Sequence, residues 1–176
     1  SFGAGTANTE FEVLTGMTVN DFGSGEYPYK TVLQNNTCES LCYNLKELGY
    51  STHAIHNHYG TFYDRNLVFS HLGFDTFTSL EYMSNISYTP RGWCTDVNLD
   101  SEILDTLQST ENQDFIYTIT VQGHGQYPAH KTYGLEGVSI RSGIDDEEMA
   151  NAFTYYLRMI NQTDAFIGNL IAQLEA

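Results

Sequence analysis

The stretch Phe115-Ile116-Tyr117-Thr118-Ile119-Thr120-Val121 runs without interruption into Gln122-Gly123-His124-Gly125. Unbroken apolar and β-branched character predicts a strand covered on both faces, the pattern of a parallel sheet in an α/β fold. The glycines that follow end the strand and leave His124 at its carboxyl end. Outward from this segment, helix and strand patterns alternate. Tyr50 to His56 reads as a second strand and Phe74 to Phe77 as a short third. The spacing predicts a helix over Ala7 to Leu14 that stops near Gly16. Thr37 is expected to cap a helix carrying Cys38, Leu41, Cys42, Leu45 and Leu48 up to Gly49. A short helix from Phe62 to Leu72 ends at Gly73, and Asp100 is expected to cap a helix carrying Ile103, Leu104 and Leu107. Asn20 to Lys30, rich in Gly, Tyr and Pro, reads as a loop.

The last element begins at Asp145-Asp146-Glu147-Glu148, acidic residues of the kind a helix N-terminus favours. Its apolar stripe of Met149, Phe153, Tyr156, Leu157, Ile160, Ile167, Leu170, Ile171 and Leu174 follows helical spacing, with Thr163 and Asp164 as a weak point. In an α/β fold such a helix returns the chain to another strand. Ser1 to Thr6 opens on a glycine-rich turn of the type that follows a strand. The expectation is a mostly parallel sheet flanked by helices, forming one incomplete domain over residues 1–176 that is truncated at both ends.

A chain of 176 residues with 41 % hydrophobic content can bury a sizeable core. Seven basic against 22 acidic residues give a net charge of -15. That balance, with no cluster of Lys or Arg, argues against nucleic acid and anionic lipid surfaces as partners. It also implies that an enzyme of anionic substrates built on this chain takes positive charge from a bound cation. No run of about 18 apolar residues is present, and the N-terminus lacks the order of a signal peptide. Cys38, Cys42 and Cys94 form an odd set without paired spacing, so Cys38 and Cys42 are expected as small buried residues rather than zinc ligands.

Ligands of open α/β sheets gather beyond the carboxyl ends of the strands, which selects three places. At Gly3 to Thr6, glycines permit close backbone approach and Thr6 precedes a helix whose free N–H groups attract an anion. Thr6 is either a helix cap or a nucleophile that a divalent metal activates. Around His53, His56 and His58, chelation of a metal competes with separate roles. The favoured one makes His56 and Arg65 donors to ester oxygens, Arg65 through its planar fork, with an ion pair to Asp64 or another carboxylate as the alternative. At the third place, His124 is a candidate donor to a transferred group or a leaving alkoxide, and His130 is a weaker candidate. No P-loop, nucleophile elbow or dinucleotide fingerprint occurs.

Taken together, Phe2-Gly3-Ala4-Gly5-Thr6-Ala7-Asn8-Thr9-Glu10-Phe11, Phe62-Tyr63-Asp64-Arg65 and Val121-Gln122-Gly123-His124 resemble the extracellular domain of the lipoteichoic acid synthase family. The stretch Gly49 to Asp75, with His-Asn-His and Gly-Phe-Asp, is similar to that family as well. These are phosphoglycerol transferases of the alkaline phosphatase and sulfatase superfamily. The resemblance implies an alkaline-phosphatase-like core in which Thr6 is both nucleophile and metal ligand, passing through a covalent glycerophosphoryl intermediate. It implies manganese, or else magnesium or zinc, as the metal. It also implies a glycerophospholipid donor, a cell-envelope glycan or polymer acceptor, and a parent protein at the extracellular face of a bacterial membrane. Membrane contact would come through parts outside this chain. Arg65 and His124 would hold the glycerophosphate, His56 would line the pocket, and Tyr63 stands where the family carries tryptophan. The remaining metal ligands of the family, an upstream glutamate and a downstream Asp-His pair, are expected outside residues 1–176, so the isolated chain is expected to bind metal poorly and to turn over little substrate. Sulfatase or phosphodiesterase hydrolysis is the alternative within the superfamily, and a silent module binding anionic glycan or lipid is the alternative outside it.

Overall fold

The computed structural model describes residues 5–133 and 143–176. Two compact units emerge, one formed by residues 1–83 and 101–119, the other by 84–100 and 120–176.

The first unit is built on three parallel strands, β1 (Ser51–His56), β2 (Thr76–Ser79) and β3 (Asp114–Ile119), in the order β2-β1-β3. All but the first residue of β1 are buried, as a central strand requires. β3 differs from its expectation: only Ile119 is buried, because the strand lies at an edge of the described sheet. Helix α1 (Thr6–Thr15) buries Ala7, Phe11 and Leu14 in one core with Tyr29, Leu33, Ala54, Val68, Phe69 and Leu72. Gly16, in the left-handed conformation at φ 72, closes α1 by donating its backbone N–H to the Glu12 carbonyl. Between Val19 and Gln34 the chain makes three short 3-10 turns, in keeping with its Gly- and Pro-rich composition.

Helix α2 (Leu41–Glu47) starts later than its sequence suggests, with Ser40 rather than Thr37 as cap. The Cys38 amide is donated to the His71 carbonyl, which holds that residue outside the helix. Ser40 Oγ then accepts from the Cys42 amide and donates to the Leu72 carbonyl. Helix α3 (Arg65–His71) follows a single 3-10 turn at Phe62–Asp64. Strand β2 begins at Thr76 rather than Phe74 because Asp75 intervenes. Its carboxylate accepts from the Thr52 amide at 2.9 Å and from Lys46 Nζ at 2.6 Å, so ladder pairing opens only at His53 and Thr76. Helix α4 (Leu99–Gln108) starts ahead of Asp100, which lies in its first turn instead of capping it.

In the second unit, α5 (Glu147–Leu174) is continuous through Thr163 and Asp164. Asp146 caps it by accepting from the Met149 amide at 2.8 Å. Thr163 donates to Asp96 at 2.8 Å, which ties down the expected weak point. The apolar stripe read from sequence is not the buried face. Tyr155, Met159 and Phe166 are buried, while Met149, Phe153, Tyr156, Ile160, Ile167, Ile171 and Leu174 are exposed.

Candidate active site

Register places His56, Ser79 and Ile119 side by side at the carboxyl end of the sheet. Such an end is where α/β sheets present their ligands. His56 Nδ1 lies 2.9 Å from the Ile119 carbonyl, so the neutral ring donates there and keeps Nε2 as an acceptor. Burial first, and then the neighbouring Arg65 charge, push the His56 pKa down to about 3. An uncharged His56 in this tautomer offers Nε2 as an acceptor, the opposite polarity to the donor expected from sequence.

Gly5 turns into α1 with φ 95, a conformation that disfavours any side chain. Crowding adds to this, since a Cβ there would sit 3.0 Å from the Tyr27 hydroxyl and 3.3 Å from the Tyr63 hydroxyl. Gly5, not Thr6, occupies the cap position, and no side chain caps the helix. Thr6 is therefore the first helical residue, exposed, in a first turn that carries no acidic side chain. In so acidic a chain, the described residues place no negative side chain in that turn to compete with an anion at the positive pole of α1.

Glu10, one turn further along α1, is buried and grips Arg65 through both carboxylate oxygens, Nε to Oε2 at 3.0 Å and a terminal nitrogen to Oε1 at 2.5 Å. The other terminal nitrogen donates to the Phe62 carbonyl at 3.1 Å. Arg65 is 1 % exposed, so the pair is buried, and Asp64 instead accepts from Gln34 at 3.0 Å. The guanidinium stands 5.2 Å from the centre of the Tyr63 ring. Tyr63 and Asp64 both adopt left-handed backbone, at φ 59 and φ 57. Each such residue costs about 1–3 kcal/mol and persists where the surroundings impose it. Here the strained turn carries the Tyr63 hydroxyl to the Gly5 turn, stacked on Tyr27 with ring centres 5.4 Å apart. Burial and the Tyr27 hydrogen bond raise the Tyr63 pKa. Lys30 Nζ approaches the same ring at 5.9 Å.

The remaining histidines separate. His53 bonds Thr76 and Asp114 inside the sheet, and the His58 ring packs on Tyr59 and Phe62, 5.8 Å from the His56 ring. In the second unit His124 is exposed, packs on Trp93 with ring centres 4.7 Å apart, and has Nδ1 at the Gly125 carbonyl. His130 is exposed as well. Sequence reasoning missed Glu10, Tyr27 and Lys30. For Glu10 a signal existed, because a buried arginine requires a carboxylate and Glu10 falls on the Thr6 face of the predicted helix.

Over residues 1–176 the chain matches the model of the sulfatase family. It belongs to the sulfatase family. A Rhizobium meliloti protein named for cyclic beta-1,2-glucan modification is 33 % identical over 155 residues, covering 88 % of this chain and 24 % of the relative. The capsular polysaccharide biosynthesis protein RkpI of the same organism is 25 % identical, covering 96 % and 29 %. The chain thus spans less than a third of the length of the curated relatives it matches. Among solved structures, the phosphoglycerol transferase GacH of Streptococcus pyogenes, in complex with sn-glycerol-1-phosphate, is 24 % identical with a TM-score of 0.75, covering 99 % of this chain and 45 % of that one. The lipoteichoic acid synthase LtaP of Listeria monocytogenes is 20 % identical with a TM-score of 0.69, covering 97 % and 41 %. These likenesses establish the alkaline-phosphatase-like fold of this sulfatase-family chain. The superfamily is in general metal-dependent. Among the described residues, no three His, Cys, Asp or Glu side chains come together in a way that could hold a metal ion. Thr6 alone does not make a metal site, so the described residues do not fit the metal by themselves.

Proposed function

We propose that this sulfatase-family chain carries the nucleophile of a phosphoglycerol transferase acting on a cell-envelope glycan. The observation that supports it is the exposed Thr6 hydroxyl in an uncapped, acid-free first turn, on the helix face whose next turn grips Arg65 through Glu10. In this reading Thr6 Oγ attacks the phosphorus of a glycerophospholipid and loses its proton. The bond from phosphorus to the lipid glycerol oxygen breaks, and that oxygen takes up a proton as diacylglycerol leaves. An acceptor hydroxyl then displaces Thr6 from the glycerophosphoryl intermediate and restores the threonine. Among the described residues three of the five N–H donors of Arg65 are engaged, and the other two are proposed to meet the anionic oxygens. Tyr63 lines the turn, and His56 Nε2 suits a substrate hydroxyl. His124, whose ring is exposed, remains a proposed contact of the transferred group. A glycan acceptor is favoured by the names of the two Rhizobium relatives, and the site of action would be the outer face of the cell membrane.

Hydrolysis of a sulfate or phosphate ester is the second reading, favoured by the family match itself. Incubating the intact parent protein with phosphatidylglycerol and a glucan acceptor separates the two. Glycerophosphate appearing on the glucan, and lost in Thr6→Ala, is the expected result. Release of free glycerophosphate, or turnover of 4-nitrophenyl sulfate, would establish hydrolysis instead, and unchanged activity in Thr6→Ala would remove the nucleophile.

A further inference from the structure

We infer that Glu10 is a positioning residue for the Thr6 site, its carboxylate fixing the Arg65 fork one helical turn below the nucleophile. This rests on the reading of Thr6 as nucleophile. Residues four apart on a helix lie one above the other, so Thr6 and Glu10 share a face of α1. Arg65 comes from a distant segment at the start of α3, yet it is held side-on by both Glu10 oxygens. The planar guanidinium therefore has one orientation, and the two N–H donors that no described residue engages have a fixed direction. The same guanidinium bears on the Tyr63 ring, whose hydroxyl meets the Gly5 turn that presents Thr6. A closed circuit results, from Thr6 along α1 to Glu10, across to Arg65, and back through Tyr63 to Gly5. A buried ion pair adds little net stability over apolar residues of the same volume. Its presence on the nucleophile's own helix is explained by geometry: without the carboxylate, the long Arg65 side chain is free to leave the orientation that Glu10 imposes.

The test uses the intact parent protein, which supplies the further metal ligands, in manganese-containing buffer with bis(4-nitrophenyl) phosphate as the probe ester. Thr6→Ala, Glu10→Gln, Arg65→Lys and the Glu10→Gln/Arg65→Lys double variant are compared for kcat, KM and melting temperature. Glu10→Gln is expected to lower kcat by about 100-fold, the cost of a misplaced catalytic contact. The double variant is expected to be no slower than Arg65→Lys alone, since both changes act through one guanidinium. Wild-type kcat in Glu10→Gln with a lowered melting temperature would make the pair purely structural and overturn the inference. Losses that multiply in the double variant would overturn it too, because Glu10 would then act apart from Arg65. Should Glu10→Gln not fold, Glu10→Asp keeps the charge at shorter reach, with about tenfold slower turnover expected and wild-type turnover the overturning result. Activity surviving in Thr6→Ala is a separate outcome that removes the nucleophile reading and, with it, the basis of this one.

Discussion

Gly5 combines a φ of 95 with two tyrosine hydroxyls packed where a Cβ would stand. Gly5→Ala should therefore lose about 1–3 kcal/mol in a denaturant titration and also turn over more slowly, because relief of the clash moves Tyr27, Tyr63 or the Thr6 turn. His56 makes a pH-dependent contribution. Its folded pKa of about 3 lies below the ordinary value of 6.5, so between those limits the unfolded chain binds the extra proton. Stability from this group is complete above about pH 6.5 and falls by about 1.4 kcal/mol for each pH unit below it. Thermal melts from pH 7 to pH 4 should fall more steeply for the wild type than for His56→Gln. Cysteine reactivity follows from burial. The Cys42 thiol is pushed up to about 12, chiefly by desolvation, and stands in the core with no disulfide. Iodoacetamide at pH 8 should leave it unlabelled until the protein is denatured. The reading of Cys42 as a buried small residue was legible from helical spacing, whereas Cys38 is only half-buried because α2 starts after it.

Among the elements, α5 separates pattern from packing most clearly. Met159 is fully buried and Ile160 is 49 % exposed, although the hydrophobic stripe selects Ile160 and passes over Met159. Met159→Ala should cost about 2–5 kcal/mol, against about 0.5 kcal/mol or less for Ile160→Ser, by chemical denaturation of each variant. The buried face also carries polar work that a hydrophobic count overlooks. Gln122 accepts from the Asp96 amide and donates to Gln162 at 2.6 Å, and Thr163 holds Asp96. Caps teach a similar lesson. Thr37 and Ser40 are both capping residue types, and the choice fell to Ser40 because the Leu72 carbonyl and the His71 carbonyl fix the approach to α2. Ser40→Ala should lower stability by about 1 kcal/mol or more, with Thr37→Ala near neutral.

At the scale of the whole molecule, charge is the governing quantity. A net charge of -15 gives an anionic ester no general attraction, so local positive groups must do that work. The described residues bring Arg65, Lys30 and the α1 N-terminus near the Gly5 turn but assemble no metal-holding group. Calorimetric titration of residues 1–176 with manganese should accordingly show affinity weaker than micromolar, and micromolar binding would contradict the expectation that other ligands are required.

From the sequence alone came the alternation of helix and strand, the parallel sheet, and the prominence of Thr6, Arg65 and Gly5. Those features are local, written in hydrophobic period, glycine placement and short motifs, and local rules suffice to read them. Tertiary structure decided which strand is central, which face of α5 is buried, and which carboxylate receives Arg65. Glu10 and Arg65 lie 55 residues apart, and neither position announces the other. A buried guanidinium demands a partner, but only the packing of α1 against α3 determines that the partner stands on the helix of Thr6.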